Sequence, residues 1–356
     1  MVFSTSKIVS NAKIINNLNS DYVFLDVKNS KIYLSNNKTA LQIEVEFSDV
    51  KDDENKIFVI GREDFMHICL FTPNIHLSSD YKYKSDDGKI KGKFTSKEDF
   101  ADTLESVKIM FDNKDSYKEF FTLSDSLYES VSRSSIFVDG ENIKNCFRCL
   151  DIKDGYSFSS SDFRVYRNKI DVSTNGIIEA EVVRFILSLG IGTKVYNNND
   201  SYLLEKDGIE MYFSTMSDVE YIPVLENAFK NKYESLFEKN SLKFKVEELL
   251  KKMDFVTYYA KVNPNNFAYL NYKDGKVFIS TNEENSFEIE SLGVDIVEDC
   301  EELKIPFNAL SFLNIIQKLQ KNIEEVTIYV SSEDSMKLFL IKFTDEELVI
   351  LAKINV

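Results

Sequence analysis

The residues of this 356-residue chain that could do chemistry are few and poorly matched to one another. Cys146 and Cys149 form a C-x-x-C pair, a spacing that holds zinc when a second pair or a histidine completes the ligand set. No such complement stands near them. The local pattern also predicts a strand there, in which residues three apart point to opposite faces. Leu189-Gly-Ile-Gly-Thr-Lys194 has the glycines and lysine of a phosphate-binding loop, but it follows a helical pattern, where glycine serves as a C-cap. His67 and His76 are the only histidines and make no acid-base or nucleophile constellation. The carboxylates are abundant but form no two-metal motif. The expectation is a protein without a catalytic centre, metal or cofactor.

Charge narrows the field further. Asp and Glu number 59 against 43 Lys and Arg, a formal net charge of −16. A protein that wraps nucleic acid in basic surface has the opposite balance. Acidity is compatible with a protein that surrounds DNA and presents only a local positive lining. Apolar residues make up 43% and aromatics 13%, ample for packed cores, and 4 prolines and 11 glycines leave little room for long linkers. Cys69, Cys146, Cys149 and Cys300 are too scattered for a disulfide framework. No stretch reads as a signal peptide or membrane span, so a cytoplasmic setting is expected. The Asn- and Lys-rich composition suggests an AT-rich genome and is compatible with a phage origin.

The elements that would position any site recur along the chain. Lys28-Asn-Ser-Lys-Ile-Tyr-Leu-Ser35, Lys153-Asp-Gly-Tyr-Ser-Phe-Ser-Ser160 and Lys273-Asp-Gly-Lys-Val-Phe-Ile-Ser280 start 125 and 120 residues apart. Each opens with a turn signal and continues with alternation, as half-buried hairpins do. Segments Ile60–Leu70, Asn175–Leu187 and Ile305–Ile316 each open with a turn or cap and run on at helical period. Asp87-Gly88 and Asp207-Gly208 mark later turns, with Ser335 near the equivalent place in the third copy. Helical stretches at Lys7–Leu18, Ser124–Ser134 and Val246–Met253 begin the units. Three domains follow: 1–120, 121–240 and 241–356, each reading helix, strands, helix, strands.

The threefold unit and several local segments resemble the bacterial-type processivity clamp of replicative DNA polymerase, the beta sliding clamp family. Asp151–Arg164 is similar to that family's strand, turn, strand and Thr-Asp-Gly-His-Arg-Leu segment. Asp218–Pro223 with Val224–Phe229 resembles its Phe-Pro-Asp-Tyr stretch, and Lys243–Lys251 resembles the helix opening its last domain. Ile305-Pro-Phe-Asn308 and Leu348–Leu351 resemble its Phe-Asn and terminal-strand segments. The resemblance covers residues 140–356 by these segments and 1–120 by architecture. It implies an α+β fold of three clamp-type domains, each with two helices packed on antiparallel sheets, closing into a ring with a second protomer. The implied partners are encircled duplex DNA, a DNA polymerase, a clamp loader ATPase and other clamp-binding-motif proteins.

Two sets of site residues follow from the resemblance. Cations on the helices that line the hole would be Lys7, Lys13, Arg133, Lys144, Arg148, Arg184, Lys245, Lys251, Lys252, Lys318 and Lys321, of which Lys251, Lys252, Lys318 and Lys321 are the densest group. A pocket for linear peptides between domains 2 and 3 would include Phe147, Asp162, Phe163, Arg164, Val165, Pro223, Asn227 and Ala228. Asn308, Phe312, Met336, Leu338, Ile350, Ala352 and Ile354 would complete it. Asp162-Phe163 stands where the family has Gly-His, Ala352 where it has proline, and Phe312 lies one place past its usual aromatic. These departures imply a different peptide preference. The bland alternatives are solvated lysines and ordinary core residues, in a repeat-built interaction scaffold that never encircles DNA.

Overall fold

In a computed structural model of the chain, the described residues are 1–356 except 37, 51–55, 97–100, 113, 139, 142–144, 162–163, 199, 216–239, 263–265, 283, 297–301, 332–337, 346 and 353–356. The side chains of 101–102, 145–146, 338–339 and 350–352 are likewise outside the described set. Two compact units result. One comprises Met1–Tyr128 with Arg184–Ser217, the other Glu129–Val183 with Asp218–Val356.

The first unit opens with β1 (Val2–Ser4), α1 (Ser6–Ser10) and α2 (Ala12–Asn17). The periodicity predicts one helix over Lys7–Leu18, and the structure interrupts it at Asn11. The Asn11 amide donates to the Lys7 carbonyl at 2.7 Å, the local side-chain competition that makes asparagine a poor helix-interior residue. The hairpin and its neighbours are β2 (Tyr22–Asp26), β3 (Lys31–Ser35), β4 (Thr39–Glu44), β5 (Phe47–Ser48) and β6 (Ile57–Gly61). After them come α3 (Arg62–Phe71), β7 (Asn74–Leu77), β8 (Lys82–Lys84), β9 (Lys91–Lys93), α4 (Ala101–Asp112) and β10 (Lys118–Thr122).

Three later strands complete this unit: β15 (Lys194–Asn197), β16 (Ser201–Lys206) and β17 (Ile209–Ser214). Asp207 and Gly208 take φ of 49° and 75° between β16 and β17, the two left-handed positions of a type I′ hairpin. The strands form a sheet ordered β10-β15-β16-β17-β4-β3-β2-β6 and a second ordered β5-β1-β7-β8-β9.

Helix α4 was not foreshadowed by the repeat, which predicts only strands in that part of the unit. Its Leu104, Val107 and Phe111 are buried against Phe24, Tyr33, Ala40, Val59 and Leu203 of the larger sheet. Burying three such side chains is worth roughly 1.5–3 kcal/mol each. Lys108 on its flank reaches Asp26 of β2 at 2.5 Å, and the Asp26 side chain is 3% exposed. Just beyond, Lys114 pairs with Glu210 of β17, which also accepts from Gln42 of β4 at 3.1 Å. The segment therefore ties strands on both sides of the β17–β4 pairing.

The second unit contains β11 (Cys149–Lys153), β12 (Tyr156–Ser161), β13 (Arg164–Lys169) and β14 (Gly176–Glu179). It continues with β18 (Asn240–Lys245), β19 (Phe267–Lys273), β20 (Lys276–Ser280), β21 (Ser286–Ile289), β22 (Ser291–Asp295) and β23 (Glu302–Asn308). β24 (Glu325–Val330), β25 (Leu338–Lys342) and β26 (Glu347–Ala352) close it. One sheet runs β14-β11-β12-β13-β26-β25-β24-β18-β22 and the other β21-β20-β19-β23. The Asp154-Gly155 and Asp274-Gly275 hairpins again show paired positive φ, 51° with 79° and 50° with 76°. Two further helices are α5 (Asp125–Ser135) and α6 (Ala180–Leu189).

α7 (Val246–Ala260) extends seven residues past the predicted Met253, and α8 is Ala309–Leu319. They pack together through Leu249, Met253 and Val256 on one and Phe312, Ile315 and Ile316 on the other, all buried in one core.

The same strand order thus recurs three times: β4-β3-β2-β6, β13-β12-β11-β14 and β21-β20-β19-β23. A second order also recurs, in β17-β16-β15-β10, β26-β25-β24-β18 and β9-β8-β7-β1. The predicted α+β architecture of three repeated units is present. The turn expected near Ser335 lies outside the described residues.

Two expectations follow from the α4 clasp. Lys108→Met leaves the Asp26 carboxylate buried without its cation and should cost about 3 kcal/mol in urea unfolding at pH 7. Burial alone would raise the Asp26 pKa, but hydrogen bonds from Lys108 and Asn29 outweigh it and hold the carboxyl below its ordinary range. The contribution is therefore complete above about pH 4 and lost as pH falls through the depressed value. Asp26→Asn should flatten the acid limb of the stability–pH curve; an unchanged limb would place the acid sensitivity elsewhere.

Candidate functional site

The exposed faces of the helices carry the candidate cations. On α7, Lys251 is exposed, and Lys252 is half-buried with its ammonium 3.9 Å from Glu248 one turn earlier. Lys245 is the exposed N-cap of the same helix, and Lys318 is exposed in the last turn of α8. Lys321 lies just past α8 and pairs with Glu129 at 2.7 Å, an exposed contact worth little in solvent. Lys13 is exposed on α2, Lys7 half-buried on α1, and Arg184 exposed on α6 with its guanidinium 5.1 Å from the Phe185 ring. The alternation of buried Leu249, Met253 and Val256 with exposed Lys251 is what an amphipathic helix on a sheet produces.

Arg133 and Arg148 are placed differently. Arg133 on α5 donates to Glu347 at 2.7 Å and to the Lys321 carbonyl at 2.8 Å. Glu347, 5% exposed, also accepts from the Tyr166 hydroxyl at 2.6 Å. Tyr166 is fully buried and stacks on Phe137, and burial followed by the Glu347 charge pushes its phenol far up. The Arg133 charge is thus matched to a buried carboxylate at the β13–β26 pairing. Arg148 is half-buried in a 3₁₀ turn, Asn145–Arg148, with its Nε buried and without a hydrogen-bond partner among the described residues. Lys144 lies outside the described residues.

That 3₁₀ turn corrects one expectation. The Cys146–Cys149 segment is not a strand: the chain coils through Arg148 and enters β11 only at Cys149. Cys69 and Cys149 are buried, and burial pushes the Cys69 thiol far above its ordinary range, out of reach of thiolate chemistry. The Gly190 segment is a helix end as expected, with φ of +81° and its amide donating to the Ile186 carbonyl at 3.0 Å. Among the described residues no three His, Cys, Asp or Glu side chains are grouped to hold a metal ion, and no helix is long and apolar enough to cross a membrane.

Some of the predicted pocket residues come together on adjacent strands. β13 pairs with β26, setting Val165 opposite Ile350 and Arg164 opposite Leu351. β26 pairs with β25, setting Ala352 opposite Leu338. The Arg164 guanidinium lies 6.0 Å from the Phe137 ring, and its Nε donates to Ser161 at 3.1 Å. Asn308 caps α8, accepting from the Ser311 amide at 2.7 Å. Phe312 is 3% exposed and packs on Phe307 in the interior, so its local role is core packing. Phe147 is half-buried in the 3₁₀ turn. Asp162, Phe163, Pro223, Asn227, Ala228, Met336 and Ile354 lie outside the described residues.

A cation group that the helix-based reading missed lies on β8 and β9: Lys82, Lys84, Lys91 and Lys93, all exposed. The two Lys-x-Lys triplets flanking the Asp87-Gly88 turn were its signal in the sequence.

No family model and no curated protein matches the sequence. Solved structures do. A Eubacterium rectale protein described as a DNA polymerase III beta subunit matches with a TM-score of 0.77 at 15% identity, over 100% of this chain and 99% of that one. The DNA polymerase III subunit beta of Pseudomonas aeruginosa matches with a TM-score of 0.75 at 14% identity, over 100% of both chains. The DNA polymerase sliding clamp of Bacillus subtilis matches with a TM-score of 0.74 at 13% identity, over 100% of this chain and 98% of that one. At such identities the fold is what is shared: from end to end, this chain has the fold of the bacterial DNA polymerase sliding clamps.

Proposed function

We propose that the protein is a DNA sliding clamp, a non-catalytic ring of two copies that encircles duplex DNA and tethers a DNA polymerase during synthesis. The observation that carries this reading is the end-to-end match to bacterial clamps over 98–100% of their length. The charge distribution supports it. A chain of net charge −16 would be repelled by a polyanion at most of its surface. Enclosure removes the need for tight contact, and Lys245, Lys251 and Lys318 on α7 and α8 are exposed cations of the kind a sliding surface uses. Phosphate contacts of this sort carry no sequence information, as a sliding protein requires.

In this reading an ATP-driven loader opens the ring, and short peptide segments of polymerase and repair proteins dock beside β13, β26 and β25. The support for that docking place is the adjacency of Val165, Ile350, Leu338 and Ala352 in the pairing of those strands. Apolar anchors with a few polar groups are what hold a docked linear peptide.

Light scattering should give twice the chain mass at micromolar concentration. On nicked circular DNA the protein should be retained and then shed when the circle is linearised. Replacing Lys251, Lys252, Lys318 and Lys321 by alanine should shorten retention and reduce the salt slope by about one for each lysine that meets a phosphate. Equal retention on circular and linear DNA would instead favour a scaffold that does not encircle it.

A further inference from the structure

Residues 82–93 carry five lysines and two aspartates, in a chain whose formal net charge is −16. Four of those lysines share one face of the β8–β9 hairpin. Lys82 lies directly opposite Lys93 and Lys84 directly opposite Lys91. The row through Lys91 and Lys84 continues to His76 on β7, whose ring nitrogen meets Asp86 at 2.7 Å. The alternate residues turn to the other face. There the Tyr83 and Phe94 rings lie 4.4 Å apart, Tyr83 fills the space over Gly92, and Phe65 of α3 packs near Phe94. The lysines are therefore on the face of the sheet away from α3.

Like charges in directly opposed positions are unfavourable, and this hairpin opposes them twice. Lys82 has Asp80 at 2.6 Å, but Lys84, Lys91 and Lys93 have no carboxylate partner among the described residues. Lysine on an edge strand deters stray pairing, which accounts for Lys91 and Lys93 on β9. It does not account for Lys82 and Lys84, which stand on β8, between β7 and β9. Local rules broken without internal compensation are expected at functional sites. An anion between the lysines of each pair supplies the missing compensation.

Spacing selects the anion. Residues two apart on a strand are separated by about 6.4–6.8 Å, close to the separation of successive phosphates along an extended nucleic-acid strand. All four lysines border one open groove of about 820 Å3. We propose that this face of the β8–β9 hairpin binds single-stranded DNA by its backbone. One phosphate lies between Lys82 and Lys93, and the next between Lys84 and Lys91. The site goes beyond the ring reading and does not depend on it, since a strand lying in a surface groove needs no enclosure.

Two features of the face set its selectivity. Its aromatic rings, Tyr83 and Phe94, are turned the other way, so bases find no stacking platform and the contacts are to phosphate, without sequence preference. For the same reason an acidic peptide is the poorer occupant. Linear peptides are held by apolar anchors or by main-chain pairing, and the lysine face of the hairpin supplies neither. A phosphodiester strand needs only a line of cations, and lysine is a point-charge phosphate binder.

Fluorescence anisotropy with a short labelled oligothymidylate tests the site. Wild-type binding should weaken with salt, log K falling against log salt with a slope of roughly −1.4 for two phosphates of a single strand. Lys84→Gln with Lys91→Gln, or Lys82→Gln with Lys93→Gln, should each weaken binding about tenfold at low salt and halve that slope. Circular dichroism verifies that the variants are folded. A wild type that binds no oligothymidylate at low salt overturns the proposal, as do folded variants that bind like the wild type. Binding lost instead on replacing Lys251, Lys252, Lys318 and Lys321 places the strand on the helices and also overturns it. So does a blunt duplex bound as tightly through the same four lysines, or displacement by polyglutamate at equal charge as readily as by unlabelled oligothymidylate. Retention on nicked circular DNA reports the ring separately. Variants that lose the oligonucleotide but stay on circles support both readings, and a wild type that binds the oligonucleotide but slips off circles keeps this site and overturns the ring.

Discussion

Backbone pairing between strands far apart in sequence is the interaction on which the rest of this molecule depends. β4 and β17 are separated by more than the length of a domain, as are β13 and β26, yet each pair is antiparallel and in continuous register. Every strand edge that such a pairing covers is an edge removed from water and from competing chains. The helices, the turns and the buried carboxylates all serve to bring those edges together at one register. A slip of a single residue would turn the apolar set of a strand to the wrong face.

Both internal joints place a buried glutamate opposite an amide residue, Glu210 opposite Gln42 and Glu347 opposite Asn168. Each glutamate is matched by a cation from outside its sheet, Lys114 in one case and Arg133 in the other. A buried ion pair adds little net stability over an apolar pair of the same shape, but a register that leaves its charge unmatched is heavily penalised. The polar pair therefore discriminates among registers, while the apolar pairs beside it supply the attraction. That division accounts for polar side chains in otherwise apolar seams.

The same logic separates the cations of the chain into groups with different work. Arg133, Lys108 and Lys114 are tied to buried or nearly buried carboxylates and belong to the architecture. Lys251 and Lys318 face solvent from helices whose other faces fill the core. Lys91 and Lys93 stand on the edge strand of a sheet, and Lys84 on the strand beside it, rather than on a helix. Position on an element, more than residue type, decides which of these are matched inside the fold and which face solvent.

Much of this could be read before any coordinates. Turn residues such as Asp154-Gly155 and Asp274-Gly275 encode their own backbone geometry, because the left-handed conformation is local. Period and spacing likewise exposed the threefold repeat, and Lys251 and Lys318, named through the family resemblance, are exposed on α7 and α8. What lay beyond the sequence was decided by partners distant along the chain. Asn11 interrupts the first helix, Arg148 coils where alternation predicts a strand, and α4 lies across a seam whose strands come from both ends of its unit. Arg133 looks like any helix-surface cation until Glu347, more than two hundred residues later, is folded against it. The sequence by itself determined the repeat and the turns, since both are short-range properties. Only the tertiary structure decided which charges are matched inside, because matching requires knowing which strands became neighbours.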